Sequence, residues 1–318
     1  MRLAVFRCFA LACGVGVMTL AGCGSVATTG APPVQSDVLS RIASHSWMAS
    51  KAQSGALLYV SDVKSNNVFV YSYPQGEQVG TLSGFGSPRS ECVDPAGNVW
   101  IADTGGDDVI EFPHGQSQPI VSLNIAGAPT GCSVNPVNGN LAVSGGVSGL
   151  TVSVFRRTQH GWGSPVRYFD SGMAAAGFCG YDASGDLFVD GVDAQGAFAL
   201  GELRPTRPRI EPLKTAQPFK TPGQMEWDGT NLAIEDAGVS PTVVYRFSIG
   251  PTGHLKKIGS TTLDGSKSVR DFSITGSTLV GPDQLRDRIG LWNYPDGGSP
   301  VTTITNVHAY GAVVSPAQ

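Results

Sequence analysis

Short apolar runs alternate with turn-forming Gly, Pro and Asp along the chain from residue 57 onward. The clearest unit spans residues 87–112, where an apolar run, the turn Asp-Pro-Ala-Gly, a second run, a polar loop and a third run follow one another. Runs of this length bounded by turn residues predict β-strands. Variants of the unit recur down the sequence, so we predict an all-β protein built from repeats.

The repeat has a period of between 40 and 50 residues, which is typical of four-stranded propeller blades. Equivalent positions in the first strands of successive repeats are 41, 47, 46 and 47 residues apart. These positions are Val93, Val134, Tyr181, Trp227 and Ile274. The second strands of the repeats are predicted at residues 57–61, 99–102, 141–144, 187–189, 232–234 and 278–280.

The second strand at residues 57–61 has no first strand before it, whereas residues 311–315 form an unmatched first strand at the C-terminus. We therefore predict a six-bladed β-propeller of four-stranded blades. In this fold the C-terminal strand pairs into the first blade and closes the ring, which leaves no sheet edge between first and last blades.

Residues 88–112 also carry a family-like pattern, in which Pro88 is followed by Val-Asp-x-x-Gly-Asn-Val-x-x-Ala-Asp and a short apolar strand. This pattern resembles the NHL and YVTN class of propellers, and more loosely the gluconolactonase-like propellers. The resemblance implies a propeller scaffold, and such scaffolds host ligand binding, protein docking and unrelated enzymes.

The N-terminus has the layout of a bacterial lipoprotein signal. Arg2 and Arg7 precede an apolar run, and Leu-Ala-Gly-Cys23 resembles the lipobox, whose cysteine is acylated and becomes the mature N-terminus. An ordinary cleaved signal and an uncleaved anchor are the alternatives. We expect a signal peptide at 1–22, a lipidated tether at 23–55 and the propeller at 56–318. Gly24 favours the outer membrane, if the cell has one.

Within the predicted tether, Val38, Leu39 and Ile42 are spaced as on an amphipathic helical turn, with Trp47 and Met48 beyond them. We expect this patch to pack against the propeller rather than lie on a membrane, because few cationic residues flank it. Removal of residues 24–50 is expected to leave the melting temperature nearly unchanged, apart from this docking.

The charge of the domain limits the kinds of partner that it can bind. Loss of Arg2 and Arg7 with the signal changes the formal charge from −4 to −6, so the domain lacks the basic surface that nucleic acids require. We expect no nucleic-acid partner, a monomer, and membrane contact only through the lipid.

Six cysteines are present, and we expect Cys132 and Cys179 to be free, buried thiols. Face-packed sheets lie about 10 Å apart, which is too far for a disulfide between them.

The recurring acids and the histidines do not indicate catalysis. Asp62, Asp103, Asp190 and the pair Glu235-Asp236 follow second strands, so we interpret them as caps of loop N–H groups. Asp103, Asp107 and Asp108 lack the alternation of a calcium loop. No serine-hydrolase elbow, zinc-protease motif or phosphate loop occurs, and we expect no cofactor and no metal.

The segments that lead into the first strands are the best candidates for a ligand site, because they surround one mouth of a propeller channel. They contribute charged, amide and aromatic side chains that can orient a polar ligand. The candidate residues are Arg89, Glu91, Gln224, Glu226, Arg270, Asp271, His308 and Tyr310. Mutual salt bridging of these charges is the structural alternative.

Three functions remain compatible with the sequence. The favoured hypothesis is a non-catalytic, envelope-anchored module that binds a protein, a glycan or a small polar ligand. The first alternative is a metal-dependent lactonase-like hydrolase, which needs a Glu on an inner strand and Asn and Asp from other blades. The second alternative is a purely structural envelope protein.

Overall fold

A computed structural model of the protein describes residues 36–318, except residues 126, 146–149, 171 and 251–252. The predicted signal peptide, Cys23 and the first part of the tether lie outside the described residues. Among those described, no helix has the length and apolar character needed to cross a membrane.

The described chain begins with helix α1, Ser36–His45, followed by the short strand β1, Trp47–Met48, and a 3-10 turn at Ser50–Gln53. Strand β4, Gln78–Leu82, pairs with β1, so that Trp47 lies opposite Thr81. The other regular elements of the described chain are β-strands, apart from a 3-10 turn at Gln284–Arg286.

The strands form small sheets in chain order, and their pairing is antiparallel except where Lys214–Thr215 pairs with His254–Leu263 and at the bridge between Leu263 and Gly298. Sheet I consists of β1, β2 Leu57–Asp62, β3 Asn67–Ser72, β4 and the C-terminal strand β28 Ala309–Ser315. Sheet II consists of β5 Pro88–Val93, β6 Val99–Asp103, β7 Asp108–Phe112 and β8 Val121–Asn124. Sheet III consists of β9 Pro129–Val134, β10 Leu141–Gly145, β11 Leu150–Phe155 and β14 Val166–Phe169, with the hairpin β12 Arg157–Thr158 and β13 Gly161–Trp162 inserted.

The second half of the chain repeats this organisation. Sheet IV consists of β15 Ala175–Tyr181, β16 Leu187–Val192, β17 Phe198–Leu203 and β18 Glu211–Pro212. Sheet V consists of β19 Lys214–Thr215, β20 Met225–Trp227, β21 Leu232–Asp236, β22 Thr242–Ile249 and β23 His254–Leu263. Sheet VI consists of β24 Ser273–Thr275, β25 Thr278–Asp283, β26 Arg288–Asn293 and β27 Gly297–Thr305, and it meets sheet V through one bridge between Leu263 and Gly298.

The C-terminal strand β28, Ala309–Ser315, pairs antiparallel with β2 in sheet I, with Val313 opposite Tyr59. The C-terminal strand therefore lies in the same sheet as β2, the first long strand. This confirms the prediction that residues 311–315 pair into the first sheet. The predicted second strands also lie within the observed strands β2, β6, β10, β16, β21 and β25.

The core lies between the sheets, and this explains why the second strands have no polar face. All five residues of β6 are buried, as are all six of β2, because both faces of these strands pack against neighbouring sheets. The largest buried side chains include Trp100, Trp292, Tyr59 and Phe112. The second strand of each repeat is therefore a nearly continuous apolar run and does not alternate between apolar and polar residues.

Helix α1 packs against sheets I and II, as the apolar patch predicted. Ile42 is fully buried among Val79, Leu82, Phe85 and Phe112. Arg41 Nε donates a hydrogen bond of 3.0 Å to the Gly84 carbonyl. The predicted tether extended to residue 55, whereas its part from Ser36 onward is docked on the sheets.

Candidate functional site

The first strands of the repeats, together with β28, lie at the inner edges of their sheets and contact one another in sequence. β28 contacts β5, β5 contacts β9, β9 contacts β15, β15 contacts β20, and β24 contacts β28. The Ile274 amide of β24 donates a hydrogen bond of 2.8 Å to Glu226 Oε2 of β20. These edges enclose a cavity of about 100 Å³, whose lining includes Glu91, Cys132, Cys179, Gln224, Glu226, Phe272 and Val313.

Several predicted site residues meet at this cavity. Glu91, Gln224 and Glu226 line it, and Asp271 precedes the lining residue Phe272. Asp271 is close enough to Glu91 and Glu226 for the charges to raise the pKa of both. The structure therefore agrees with the prediction that the segments leading into the first strands approach one another.

The other four predicted residues lie outside the cavity lining. The guanidinium of Arg89 lies over the Tyr310 ring, 5.0 Å from its centroid, in a cation–π contact. Arg270 is exposed. His308 Nδ1 lies 2.5 Å from Asp287 Oδ1, so its ring is bound to a loop carboxylate.

The salt bridges of the structural alternative are not found among the described residues at the mouth. Within the described ranges, no ion pair joins Arg89 or Arg270 to Glu91, Glu226 or Asp271. The physical reason is that the arginine and carboxyl side chains point in different directions. Arg89 stacks on Tyr310 and Arg270 points to solvent, while the carboxyl groups are turned inward.

The inward carboxyl groups form an electrostatic cluster, which we call the acid cluster and define as Glu91, Asp190, Glu226, Glu235 and Asp271. Burial is the largest cause of a raised pKa for each member, and charges of other members add to it for Glu91, Glu226 and Glu235. The pKa is raised to about 8 for Asp190, Glu226 and Asp271, and well above the usual range for Glu91 and Glu235.

Sequence reasoning missed Glu235 and Asp190 as members of this cluster. Both were interpreted as loop caps. Asp190 does accept a hydrogen bond of 2.8 Å from the Phe178 amide, but Glu235 is fully buried and its carboxylate caps no loop. The available signal was strand alternation, because Asp236 caps the Lys220 amide and its neighbour Glu235 must therefore point to the opposite face.

The capping interpretation is confirmed for three recurring aspartates. Asp62 accepts hydrogen bonds from the Lys64 and Ser65 amides. Asp103 accepts from the Gly86 and Ser87 amides, and Asp236 accepts from the Lys220 and Gly238 amides. These carboxylates satisfy loop N–H groups that would otherwise be unpaired.

Asp103, Asp107 and Asp108 point to different partners. Asp107 Oδ1 accepts from the Ala128 amide, and Asp108 Oδ2 accepts from the Ser122 hydroxyl. Across residues 36–318, apart from the positions left out above, no group of three or more His, Cys, Asp or Glu is arranged to hold a metal ion.

The prediction of a free thiol at Cys132 is wrong. Cys132 forms a disulfide with Cys92, with Cα atoms 5.7 Å apart, and this bridge joins β9 to β5. The estimate of about 10 Å applies to the middle of face-packed sheets, whereas inner edges converge. Cys179 is free and buried, as predicted, and burial raises the pKa of its thiol to about 12.

Comparisons with known proteins identify the fold, but they identify neither a family nor a function. No protein-family model matches the chain, and no curated protein matches it either. Among solved structures, a chain of a nidogen/laminin complex matches with a TM-score of 0.66 at 12% identity, covering 83% of this chain and 100% of that chain.

Two bacterial structures match less closely. Hydrazine synthase of Kuenenia stuttgartiensis has a TM-score of 0.55 at 13% identity, covering 74% of this chain and 73% of that chain. A candidate 6-phosphogluconolactonase of Bacteroides fragilis NCTC 9343 has a TM-score of 0.54 at 13% identity, covering 83% and 99%. At such identities the likeness shows a β-propeller fold alone, because unrelated functions share this scaffold.

Proposed function

We propose that this chain is a six-bladed, NHL-like β-propeller that serves the cell envelope as a non-catalytic binding module. Its ligand is a protein, a glycan or a small polar molecule that engages the central cavity and its mouth. The observation that carries the proposal is the convergence of Glu91 from sheet II with Gln224 and Glu226, at the start of β20 in sheet V, on one cavity. Concave sites with a few convergent polar groups are the usual places for ligands.

We further propose that Cys23 carries the lipid that anchors the module. The motif Leu-Ala-Gly-Cys23 after a short apolar run supports this. Mass spectrometry of the exported protein should identify a diacylglyceryl-modified Cys23 as the first residue. The Cys23→Ala variant should leave the membrane fraction. An unmodified N-terminus at another residue contradicts the proposal.

The chemistry of the cavity lining favours binding over catalysis. Its polar side-chain groups are carboxyl, amide, hydroxyl, thiol and indole N–H groups, and none of the described histidines lines it. The Cys179 thiol is a poor nucleophile because its pKa is raised to about 12. His308, the histidine nearest in sequence to β28, is bound to Asp287 instead.

Binding is tested by thermal unfolding of purified residues 36–318 with a panel of envelope glycans, amino acids, peptides and organic ions. A true ligand should raise the melting temperature saturably, and Glu91→Gln or Glu226→Gln should weaken that effect. Glu77→Gln is the matched control, because Glu77 is exposed and pairs with Lys51 on sheet I. If every active compound affects the variants and the parent equally, the cavity is not the site.

The lactonase-like alternative is favoured by one observation, the proximity of Glu91 and Asp271 from different sheets. It is tested by hydrolysis of gluconolactone with and without added CaCl₂. Turnover that is lost in Glu91→Gln would establish the enzyme. A protein that neither turns over lactones nor binds any member of the panel would fit the structural alternative.

A further inference from the structure

We infer that the central cavity binds an organic cation, an ammonium or guanidinium group, which the acid cluster holds. The inference rests on the proposed binding function and names the ligand chemistry of that same site. It starts from buried carboxyl groups that form no ion pair within the described residues.

Glu91, Glu235 and Asp271 are almost completely buried, with exposed fractions of 2%, 0% and 0%. No hydrogen bond of ordinary geometry reaches either carboxylate oxygen of any of the three. Donor groups do lie near them, and each lowers the pKa that burial raises. Ser61 lies near Glu91 and the Gln224 backbone N–H near Glu235, while the Ser90 hydroxyl, the Phe272 N–H and the Gln224 side chain lie near Asp271. Ser90 is itself fully buried, and its hydroxyl forms no hydrogen bond of ordinary geometry.

Buried polar groups in native proteins are nearly always paired, because an unpaired one loses its hydration without compensation. The local cations do not supply the pairing here. Arg89 lies on Tyr310, and Arg270 is exposed and lowers only the pKa of Glu235 within the acid cluster. Once its members ionise, the cluster therefore lacks an ion-pair partner among the described residues, and a cationic ligand in the cavity beside Glu91 and Glu226 can supply one.

The arrangement suits an organic cation better than a metal ion. In the described part of the chain, no three acidic or imidazole groups are placed to coordinate one metal. A guanidinium carries five N–H donors across a plane and can reach separate carboxylates at once. A cavity of about 100 Å³ is smaller than a typical drug-sized pocket, so it fits the head of a longer molecule.

The inference is tested by calorimetric titration of the purified protein with agmatine and putrescine. The pH is set just above the value of about 8 to which the pKa of Asp190, Glu226 and Asp271 is raised, where both amines still carry positive charge. Butane-1,4-diol is the neutral control of similar length, and CaCl₂ is the metal control. We expect saturable binding of at least one amine and none of the diol. Asp271→Asn and Glu235→Gln, which keep shape and remove charge, should each weaken binding by about tenfold.

Circular dichroism verifies that both variants fold, and Glu77→Gln should bind as the parent does. Binding of CaCl₂ without either amine overturns the inference, as does amine binding that is unchanged in both variants. If only neutral or anionic members of the wider panel bind, and Glu91→Gln weakens them, the binding function stands and the cation assignment fails. If nothing in either experiment binds, both fail.

Discussion

At the scale of single residues, the direction of a side chain decides its role more than its type. Glu235 and Asp236 are adjacent acids on β21, yet Asp236 caps loop amides and Glu235 lies fully buried in the acid cluster. Successive residues of a strand point to opposite faces. Neighbouring buried acids can therefore differ completely in their hydrogen-bond partners.

The acid cluster makes stability depend on pH. The pKa of Asp271 is about 8 in the folded state and near its usual 3.8 when unfolded, mainly because of burial. Between these values the unfolded chain loses this proton while the folded chain keeps it. The free energy of unfolding therefore falls as pH rises through that window, and it changes little further once the folded group has also ionised.

We expect Asp271→Asn to flatten this slope and to be more stable than the parent at pH about 8, by on the order of 3 kcal/mol. Urea unfolding at pH about 5 and about 8 measures both effects. Glu77→Gln should keep the parental slope, because Glu77 is exposed. Equal slopes for Asp271→Asn and the parent would contradict the raised pKa.

At the scale of elements, the inner strands contact each other through one repeated register. Cys92, one position before the reference residue Val93, meets Cys132, two positions before Val134. The same offset places Gly180 against Met225, where an added Cβ would lie 2.9 Å from the Met225 carbonyl oxygen. The disulfide is therefore one instance of a contact that the repeat makes more than once.

This register predicts a second bridge. Ser133 is equivalent to Cys92, and Cys179 is equivalent to Cys132. We expect Ser133→Cys to form a disulfide with Cys179 and to stabilise the fold by roughly 2–4 kcal/mol. Non-reduced peptide mapping and melting with and without reductant measure this. Ser184→Cys, in an exposed turn, should leave Cys179 free. A free Cys179 in Ser133→Cys refutes the shared register.

Helix α1 is an integral element rather than part of a loose tether. Its residue Ile42 is fully buried between sheets I and II, and Val38 and Leu39 pack beside it. An isolated helix of 10 residues is marginal in water, so this packing is what maintains it. Removal of residues 24–50 should therefore destabilise the protein, contrary to the expectation from sequence.

We expect Ile42→Ala to lower the free energy of unfolding by about 2–4 kcal/mol, because the lost side chain leaves a cavity. Ser40→Ala, on the exposed side of the same helix, should have almost no effect. Denaturant unfolding compares the two variants. A small and equal effect of both substitutions would mean that α1 contributes little to the core.

At the scale of the whole molecule, the two ends of the described chain are joined through sheet I. Strand β28 pairs with β2, and the Ser315 hydroxyl donates a hydrogen bond of 2.6 Å to the Gly97 carbonyl of sheet II. The buried His114 contacts both Ser315 and the Gly55 carbonyl. The C-terminal strand thus connects sheet I with its neighbour.

Deletion of residues 311–318 should unfold or aggregate the protein. It removes the buried side chains of Ala312, Val313 and Val314, and it leaves the edge of β2 unpaired. Burial of one valine contributes roughly 1.5–3 kcal/mol, against a total domain stability of about 5–15 kcal/mol.

Melting curves and size-exclusion chromatography measure the effect of this deletion. Deletion of residues 316–318 alone is the matched control, because these residues are exposed and lie beyond β28. A full deletion that melts within a few degrees of the control would show that sheet I does not depend on β28.

The sequence by itself determined the strands, their order and the use of the C-terminal strand to complete the first sheet. These features depend on local patterns, namely short apolar runs, Gly turns and a regular period, which act within a few residues. The capping aspartates and the docking of Ile42 were also readable, because each has a local signature.

Only the tertiary structure decided the Cys92–Cys132 bridge, the membership of Glu235 and Asp190 in the acid cluster, and the absence of salt bridges between Arg89 or Arg270 and those acids in the described chain. Each depends on how closely inner edges converge and on which way a side chain turns at that edge. Such distances arise between residues about 40 or more positions apart in sequence, and local patterns do not encode them.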